Sequence, residues 1–432
     1  MSDQVRKAAW DVLRAVDERD SYVNLLLPAM LRERHIEGRD AALATELTHG
    51  TLRRRGTYDA IIATVVKLGL ASVDAPVLDA LRLGAHQLLS MRIPSHAAVS
   101  TTVDLVRAEI GHKPVAFTNA VLRKVASQDL DTWLDRVTNG KGIVEQMSIR
   151  HSYPEWIVEA LHSAYGRDWA GTERLLAAQN VSPAVTLVAR PGLCEPEELE
   201  GTEPGRLSPY ARYLLHGDPG AIRAVVEGRA GVQDEGSQLV TMLLADTPLE
   251  GRDERWLDLC AGPGGKAALL AAIGAHRGAS VVANEVRQHR AELVKSSLRK
   301  LSNASVTVHD GRAGPWEVGS FDRVLVDAPC TGLGALRRRP EARWRRKPED
   351  LDSLVPLQLA LLDRAIDLTR AGGVTAYVTC SPHLAETLGV VTQTLASRED
   401  IEVIPIDGQR SLRLWPHVHG TDAMYVALLR KT

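Results

Sequence analysis

"WLDLCAGPGGK", residues 256–266, decides how the second half of this chain is folded. A short apolar strand runs into a turn with glycines at 262, 264 and 265, and the turn opens the helical pattern "GGKAALLAAIG". Glycine lets backbone approach a ligand closely, and free amides at a helix start favour an anionic group. The next strand, "SVVANE", ends on Glu285, about 20 residues on, where an acid can take ribose hydroxyls. This is a nucleotide-binding turn, with Cys260, Ala261, Gly262, Pro263, Gly264, Gly265 and Lys266 as candidate cofactor contacts. The turn alone does not separate a nicotinamide dinucleotide from S-adenosyl-L-methionine. Its spacing departs from G-x-G-x-x-G, which favours S-adenosyl-L-methionine. Asp310, ending "SVTVHD", is a candidate for the adenine amino group; a turn cap is the plain alternative.

Outward from this turn, strands and helices alternate from Gly236 onward: "RWLDLC", "SVVANE", "SVTVHD", "DRVLVDAP" and "GVTAYVTC" are strands, separated by amphipathic stretches such as "RQHRAELVKSSLRKL". Such alternation predicts an α/β, Rossmann-like parallel sheet covered by helices, with ligands beyond the carboxyl ends of its strands. The first 130 or so residues instead repeat apolar positions at helical spacing, as in "RKAAWDVLRAVDE" and "PVLDALRLGAHQLLSM". Between them, "AVTLVARPG" and "ARYLLHG" suggest a small α/β connector. The predicted division is 1–140, 141–235 and 236–432.

Length and composition agree with a multidomain globular chain: 432 residues with 44% apolar and 25% charged side chains. No apolar run reaches the ~20 residues that cross a bilayer, and "MSDQVRKAAWDVL" is unlike a secretory signal, so a cytoplasmic protein is expected. Cys194, Cys260, Cys330 and Cys380 form no C-x-x-C pair, which argues against a zinc site or a disulfide framework, and no metal is expected. With 52 basic and 54 acidic residues, the charge balance gives no global sign of nucleic acid.

Two predicted strands deliver thiols to the same sheet edge. Cys330 follows "VLVDAP" and Cys380 follows "TAYVT", with Asp327 beside the first. Either cysteine alone reads as a buried filler. Two thiols and an acid together fit chemistry on a pyrimidine: carbon 5 of cytosine is too weak a nucleophile to accept a methyl group unaided, whereas a thiolate added at C6 makes it enamine-like. Asp327 would hydrogen-bond or protonate the N3 side of the ring as charge builds there. These residues do not by themselves rank the two thiols.

At the other end of the chain, "ELTHGTLRR" (46–54), "LRLGAHQLL" (81–89), "IPSHAAVSTTVDLVR" (93–107) and "FTNAVLRKV" (117–125) resemble the NusB-like RNA-binding domain. With "VQDEGSQLV" (232–240), the glycine turn, "DAPCTGLGALRRRPEARWRR" (327–346), "TCS" (379–381) and "RLWPHVHGTDAMYVALL" (413–429), the whole chain resembles the Sun/Fmu (RsmB-like) RNA 5-methylcytosine methyltransferases. The resemblance implies an all-α NusB-like start, a connector that binds RNA and a Rossmann-like methyltransferase domain. It also implies methylation of small-subunit ribosomal RNA before full assembly, with Cys380 as nucleophile and Cys330 as the thiol that helps release product. "PHLAET" replaces the usual Glu-Asn-Glu cluster after "TCS", leaving Glu386 as its counterpart, and "TDAMY" replaces Asp-Gly-Phe-Phe.

The run "LRRRPEARWRRK" (336–347) offers Arg337, Arg338, Arg339, Arg343, Arg345 and Arg346 as candidate phosphate contacts, and Arg53, Arg54 and Arg55 form a second basic spot. A thiol cannot reach C6 of a stacked, paired cytosine, so the target nucleotide is expected in a loop or flipped out. Two other readings stay open: an RNA-binding ribosome-assembly factor whose methyltransferase fold has lost its chemistry, and a nicotinamide-dependent oxidoreductase, which would leave the thiols idle.

Overall fold

The computed structural model describes residues 3–19 and 21–432. The chain forms two compact units, Met1–Val181 with Leu336–Lys347, and Ser182–Ala335 with Pro348–Thr432.

In the first unit helices run from Gln4–Arg19 to Trp169–Ala178. Helix Gln4–Arg19 turns Ala8, Ala9, Val12, Leu13 and Val16 inward, the spacing that puts one stripe of an α-helix on a core. Tyr58, Ile61, Ile62, Leu81, Leu122 and Trp133 fill a second core. A Cβ on Gly84 would lie 2.7 Å from Leu122, so only glycine allows the helices to approach this closely.

This unit extends past the expected boundary at residue 140. Helix Ile143–His151 packs on Arg55–Val65 and Leu130–Thr138, with Thr57 Oγ1 donating to the Ile149 carbonyl at 2.6 Å. The apolar stripes of the helices after residue 140 therefore complete the bundle.

The basic run also belongs to this unit, and here the phosphate expectation is corrected in part. Arg343 is fully buried. Its guanidinium donates to the carbonyls of Arg53 (2.9 Å) and Gln179 (3.1 Å) and to Asn180 Oδ1 (2.8 Å), and it lies 3.8 Å from the centroid of the Tyr153 ring. Burial pushes its pKa down to about 10. An arginine so placed pins chain to chain and has no face left for a phosphate. Arg337 is buried too, and Arg345 donates to the carbonyls of Val16 and Ser21, both at 2.7 Å. Arg338 and Arg346 are half-buried; Arg339 is exposed.

The second unit holds two sheets. In the small one, β1 (Val185–Ala189), β2 (Thr202–Pro204), β3 (Ala211–Leu214) and β4 (Ala230–Val232) lie in the order β2-β3-β1-β4, all antiparallel. The large sheet contains β5 (Arg255–Asp258), β6 (Ser280–Asn284), β7 (Ala304–Thr307), β8 (Phe321–Asp327), β9 (Thr369–Thr379), β10 (Ile401–Ile404), β11 (Leu412–Arg413) and β12 (Tyr425–Lys431). Its main path is β10-β12-β9-β8-β5-β6-β7, and β11 pairs with β12.

Strands β5 to β9 are parallel, as expected. The edge beyond β9 is not: β12 runs antiparallel to both β9 and β10. Along β8 and β9, Val324, Val326 and Tyr377 face one apolar layer while Leu325, Ala376 and Val378 face the other. Both faces of these central strands are thus dry, which gives near-continuous apolar runs.

Candidate active site

The site lies at the carboxyl ends of β5, β6, β8 and β9. Strand β8 ends on Asp327, and the Ala328 amide continues its pairing by donating to the Val378 carbonyl at 2.9 Å. Cys330, three residues on, and Cys380, directly after β9, bring their Sγ atoms to 3.5 Å from each other, and both are free thiols. Across from them Lys266, at the start of helix Gly265–His276, places Nζ 2.8 Å from Asp327 Oδ2. Burial alone would lower the Lys266 pKa, but the attraction of Asp327 outweighs it and the ammonium is held above its ordinary range.

The two thiols have unequal surroundings. The contact with Cys330 favours ionisation of Cys380 and outweighs both its burial and the negative charge of Asp327, with Lys266 adding a smaller positive one, so the Cys380 pKa lies below its ordinary value. That same contact and its own burial push Cys330 well up, and Glu386 adds negative charge there. Of the two, Cys380 is the thiol whose surroundings favour ionisation more.

Glu386 supplies the scaffold, a role that its place in "PHLAET" did not reveal. Fully buried, it accepts from the Thr331 amide at 2.8 Å, from Gln358 Nε2 at 3.0 Å and from the Thr331 hydroxyl. Gln358 also donates to the Pro329 carbonyl at 2.8 Å. Thr331 and Pro329 flank Cys330, so this buried carboxylate fixes the thiol from both sides. Further along, the Gly334 amide donates to the Cys380 carbonyl at 2.8 Å and its carbonyl accepts from the Ala423 amide at 3.0 Å. A Cβ on Gly334 would sit 1.9 Å from the Ala423 oxygen, so the residue must be glycine.

At the glycine turn, a Cβ on Gly262 would lie 2.0 Å from Glu285 Oε2, so the turn and the acid expected to serve one ligand do meet. Glu285 is buried, accepts from the Arg287 amide at 3.0 Å and faces Arg290 at 3.6 Å. Asn284, which the sequence reading passed over, ties the strand ends together through the Leu259 and His309 carbonyls, each at 3.0 Å. Asp310 is exposed and caps its own turn: Arg312 grips the carboxylate from Nη2 at 2.6 Å and holds its pKa below the ordinary value. Cys260 is a half-buried thiol whose pKa burial pushes well up, so it lacks thiolate character.

Asp258, at the end of β5, is fully buried and its Oδ2 has no partner. Burial, reinforced by Asp327, raises its pKa to about 8. An orphaned buried carboxylate beside a glycine cradle and an acid fits a ligand carrying both ribose hydroxyls and a positive charge, as S-adenosyl-L-methionine does. The raised pKa has a consequence for stability. The folded state keeps a proton that the unfolded chain releases near pH 4, so stability is full below that pH and is lost as pH rises toward about 8. Thermal unfolding of the ligand-free protein is expected to show this slope, up to about 1.4 kcal/mol per pH unit, and Asp258→Asn to flatten it. An unchanged slope in Asp258→Asn would contradict the assignment.

A family model described as 16S rRNA methyltransferase RsmB/F matches residues 246–430, and one described as the NusB family matches residues 3–127. Ribosomal RNA small subunit methyltransferase B of Pseudomonas syringae pv. tomato is 32% identical over 94% of this chain and 89% of its own. The chain belongs to the 16S rRNA methyltransferase RsmB/F family. Other RsmB/F relatives align equally fully: the enzyme of Shewanella oneidensis is 29% identical over 98% of this chain and 97% of its own. A Mycobacterium tuberculosis protein, named as a methyltransferase without a stated substrate, is 48% identical over 99% and 97%. The fold of this RsmB/F member is shared by the crystal structure of PH0851, with a TM-score of 0.80 at 22% identity over 98% of this chain and 97% of that one.

Proposed function

We propose that this protein uses S-adenosyl-L-methionine to form 5-methylcytosine in small-subunit ribosomal RNA through a covalent bond between Cys380 and C6 of the base. The observation that carries the reading is the pair of sulfur atoms 3.5 Å apart, one of them with its pKa lowered, beside the Lys266–Asp327 ion pair. A non-catalytic assembly factor would have no use for that combination.

Cys380 enters as the thiolate and forms the sulfur–carbon bond at C6, which moves electron density to C5. Lys266 and Asp327 together deliver a proton to the N3 side of the ring as negative charge builds there. The carboxyl passes it on and is resupplied by the ammonium behind it, and N3 gives it back when the adduct breaks down. When bound, S-adenosyl-L-methionine supplies the methyl group that C5 takes. Once Cys380 is bound in the thioether, Cys330 gives its own proton to water and as thiolate takes the proton from C5; the C5–H electron pair restores the 5,6 double bond, the C6–sulfur bond breaks, and Cys380 departs as thiolate. Gly262 and Glu285 suit the ribose of the cofactor, and Gly264, Gly265 and Lys266 the turn against its tail, whereas Asp310, held by Arg312 as a turn cap, is left out of the adenine contact. In the basic run, the exposed Arg339 is the best placed for RNA, with the half-buried Arg338, Arg345 and Arg346 beside it, and the RNA reaches the site as a loop or a flipped nucleotide.

The test is bisulfite sequencing of small-subunit ribosomal RNA from cells with and without this protein. One protected cytidine is expected to become convertible when the protein is absent and to regain protection when it is restored. An unchanged bisulfite pattern, with methyl transfer from the purified protein to another atom or another RNA, would overturn the reading.

A further inference from the structure

Behind the glycine turn, a cavity of about 350 Å³ opens between the small sheet and helix Gln288–Leu298, lined by Arg190, Arg299, Gln233, Ser296, Ser297 and Gly265 among others. Its charge is one-sided. Arg190 at the end of β1 is 6% exposed, yet no carboxylate pairs with it: its Nη1 donates to the carbonyls of Gly228 (2.7 Å) and Ser297 (2.8 Å), and its Nε has no partner. Arg299 packs its guanidinium where a Cβ on Gly228 would be, 2.7 Å from Cζ, and donates to the Ser296 and Val226 carbonyls. Arg190 and Arg299 thus converge on Gly228, and no acidic residue lines the cavity. Gln233 adds an amide that is 7% exposed, with neither Nε2 nor Oε1 hydrogen-bonded.

Burying a cation costs several kcal/mol unless an anion answers it, and two converging guanidiniums add repulsion. A buried arginine held only by carbonyls, next to a second one and an amide nitrogen without a partner, is a set of donors short of an acceptor. A phosphate oxygen answers these donors, and guanidinium is the side chain that binds it best.

We propose that this cavity takes one backbone phosphate of the RNA substrate, gripped between Arg190 and Arg299. The inference rests on RNA being the substrate, as proposed above, and adds a docking point between the small sheet and the back of the glycine turn. It would hold the strand in register by a contact that carries no base sequence. Arg299 is exposed and replaceable, which makes it the residue to test.

The experiment measures binding of the full chain to a 16S rRNA transcript made in vitro, across a salt series, for wild type, Arg299→Gln and Arg299→Lys, with S-adenosyl-L-methionine affinity followed by calorimetry. Arg299→Gln is expected to weaken RNA binding severalfold at low salt and to flatten the dependence of log K on log salt by about 0.7, the value for one single-strand phosphate. Arg299→Lys should recover most of the slope, and cofactor affinity should not move. Wild-type RNA affinity and slope in Arg299→Gln would overturn the proposal, and so would a loss of cofactor affinity in place of RNA affinity, which would assign the pocket to the cofactor's carboxylate. If the wild type itself binds the transcript without salt dependence, the substrate reading fails first and the pocket with it.

Discussion

Cys380→Ser is expected to abolish methyl transfer, with a loss of about four orders of magnitude or more, as for other removed nucleophiles. The oxygen of serine is a far poorer nucleophile at neutral pH, and neither Lys266 nor Cys330 can compensate for a thiolate that does not form. Cys330→Ser is expected to do something different. Bond formation at C6 should survive, because the serine hydroxyl can still donate to Cys380 in place of the Cys330 thiol, whereas release should stall. Protein incubated with RNA and S-adenosyl-L-methionine should then run as a denaturant-stable adduct in Cys330→Ser, and as free protein in wild type and Cys380→Ser. The reverse pattern, adduct in Cys380→Ser and dead enzyme in Cys330→Ser, would exchange the roles and contradict the direction in which the shared hydrogen bond and Lys266 bias the pair.

The second large effect is expected at Glu386. Alanine there leaves the Thr331 amide without an acceptor and takes one of two partners from both the Thr331 hydroxyl and Gln358 Nε2 in a fully buried position. Stability should fall by roughly 3 kcal/mol or more, since hydrogen bonds to a buried charge are among the costliest to lose. Glu386 touches no reacting atom; it positions Cys330. Below its melting temperature, Glu386→Ala should therefore accumulate the same stable adduct as Cys330→Ser, with kcat reduced about 100-fold and KM little changed. Glu386→Gln, which retains one acceptor and lets the Thr331 hydroxyl reverse its role, should recover part of both losses. A variant that is merely unstable, with no adduct, would reduce Glu386 to a packing role.

The site was largely legible in the sequence where chemistry depends on residue type at a strand end. The glycine turn, Glu285, Asp327 and the two thiols were found from a strand pattern followed by a distinctive residue, and the parallel sheet brings strand ends together by construction. What escaped was information carried by direction. "LRRRPEARWRRK" counts as a basic run however its side chains point, and only the fold reveals that Arg343 points inward against Tyr153 while Arg339 points outward. The antiparallel edge escaped for a related reason: "TDAMYVALLR" is as apolar as a parallel core strand, and hydrophobicity carries no sign for chain direction. Glu386 and Asp258 look like ordinary acids in sequence, since burial is what gives each its role.

Strand β9, which delivers Cys380, has β8 on one side and β12 on the other. Residues 425–431, which form that outer neighbour, are made some 45 residues after Cys380 itself. While the nascent chain is still emerging, the strand bearing Cys380 is therefore an open edge, and the Ala423 amide is not yet there to donate to the Gly334 carbonyl. The surroundings of Cys380 are thus completed only when the last strand of the sheet has been made, so under the function proposed above methyl transfer waits for a finished chain.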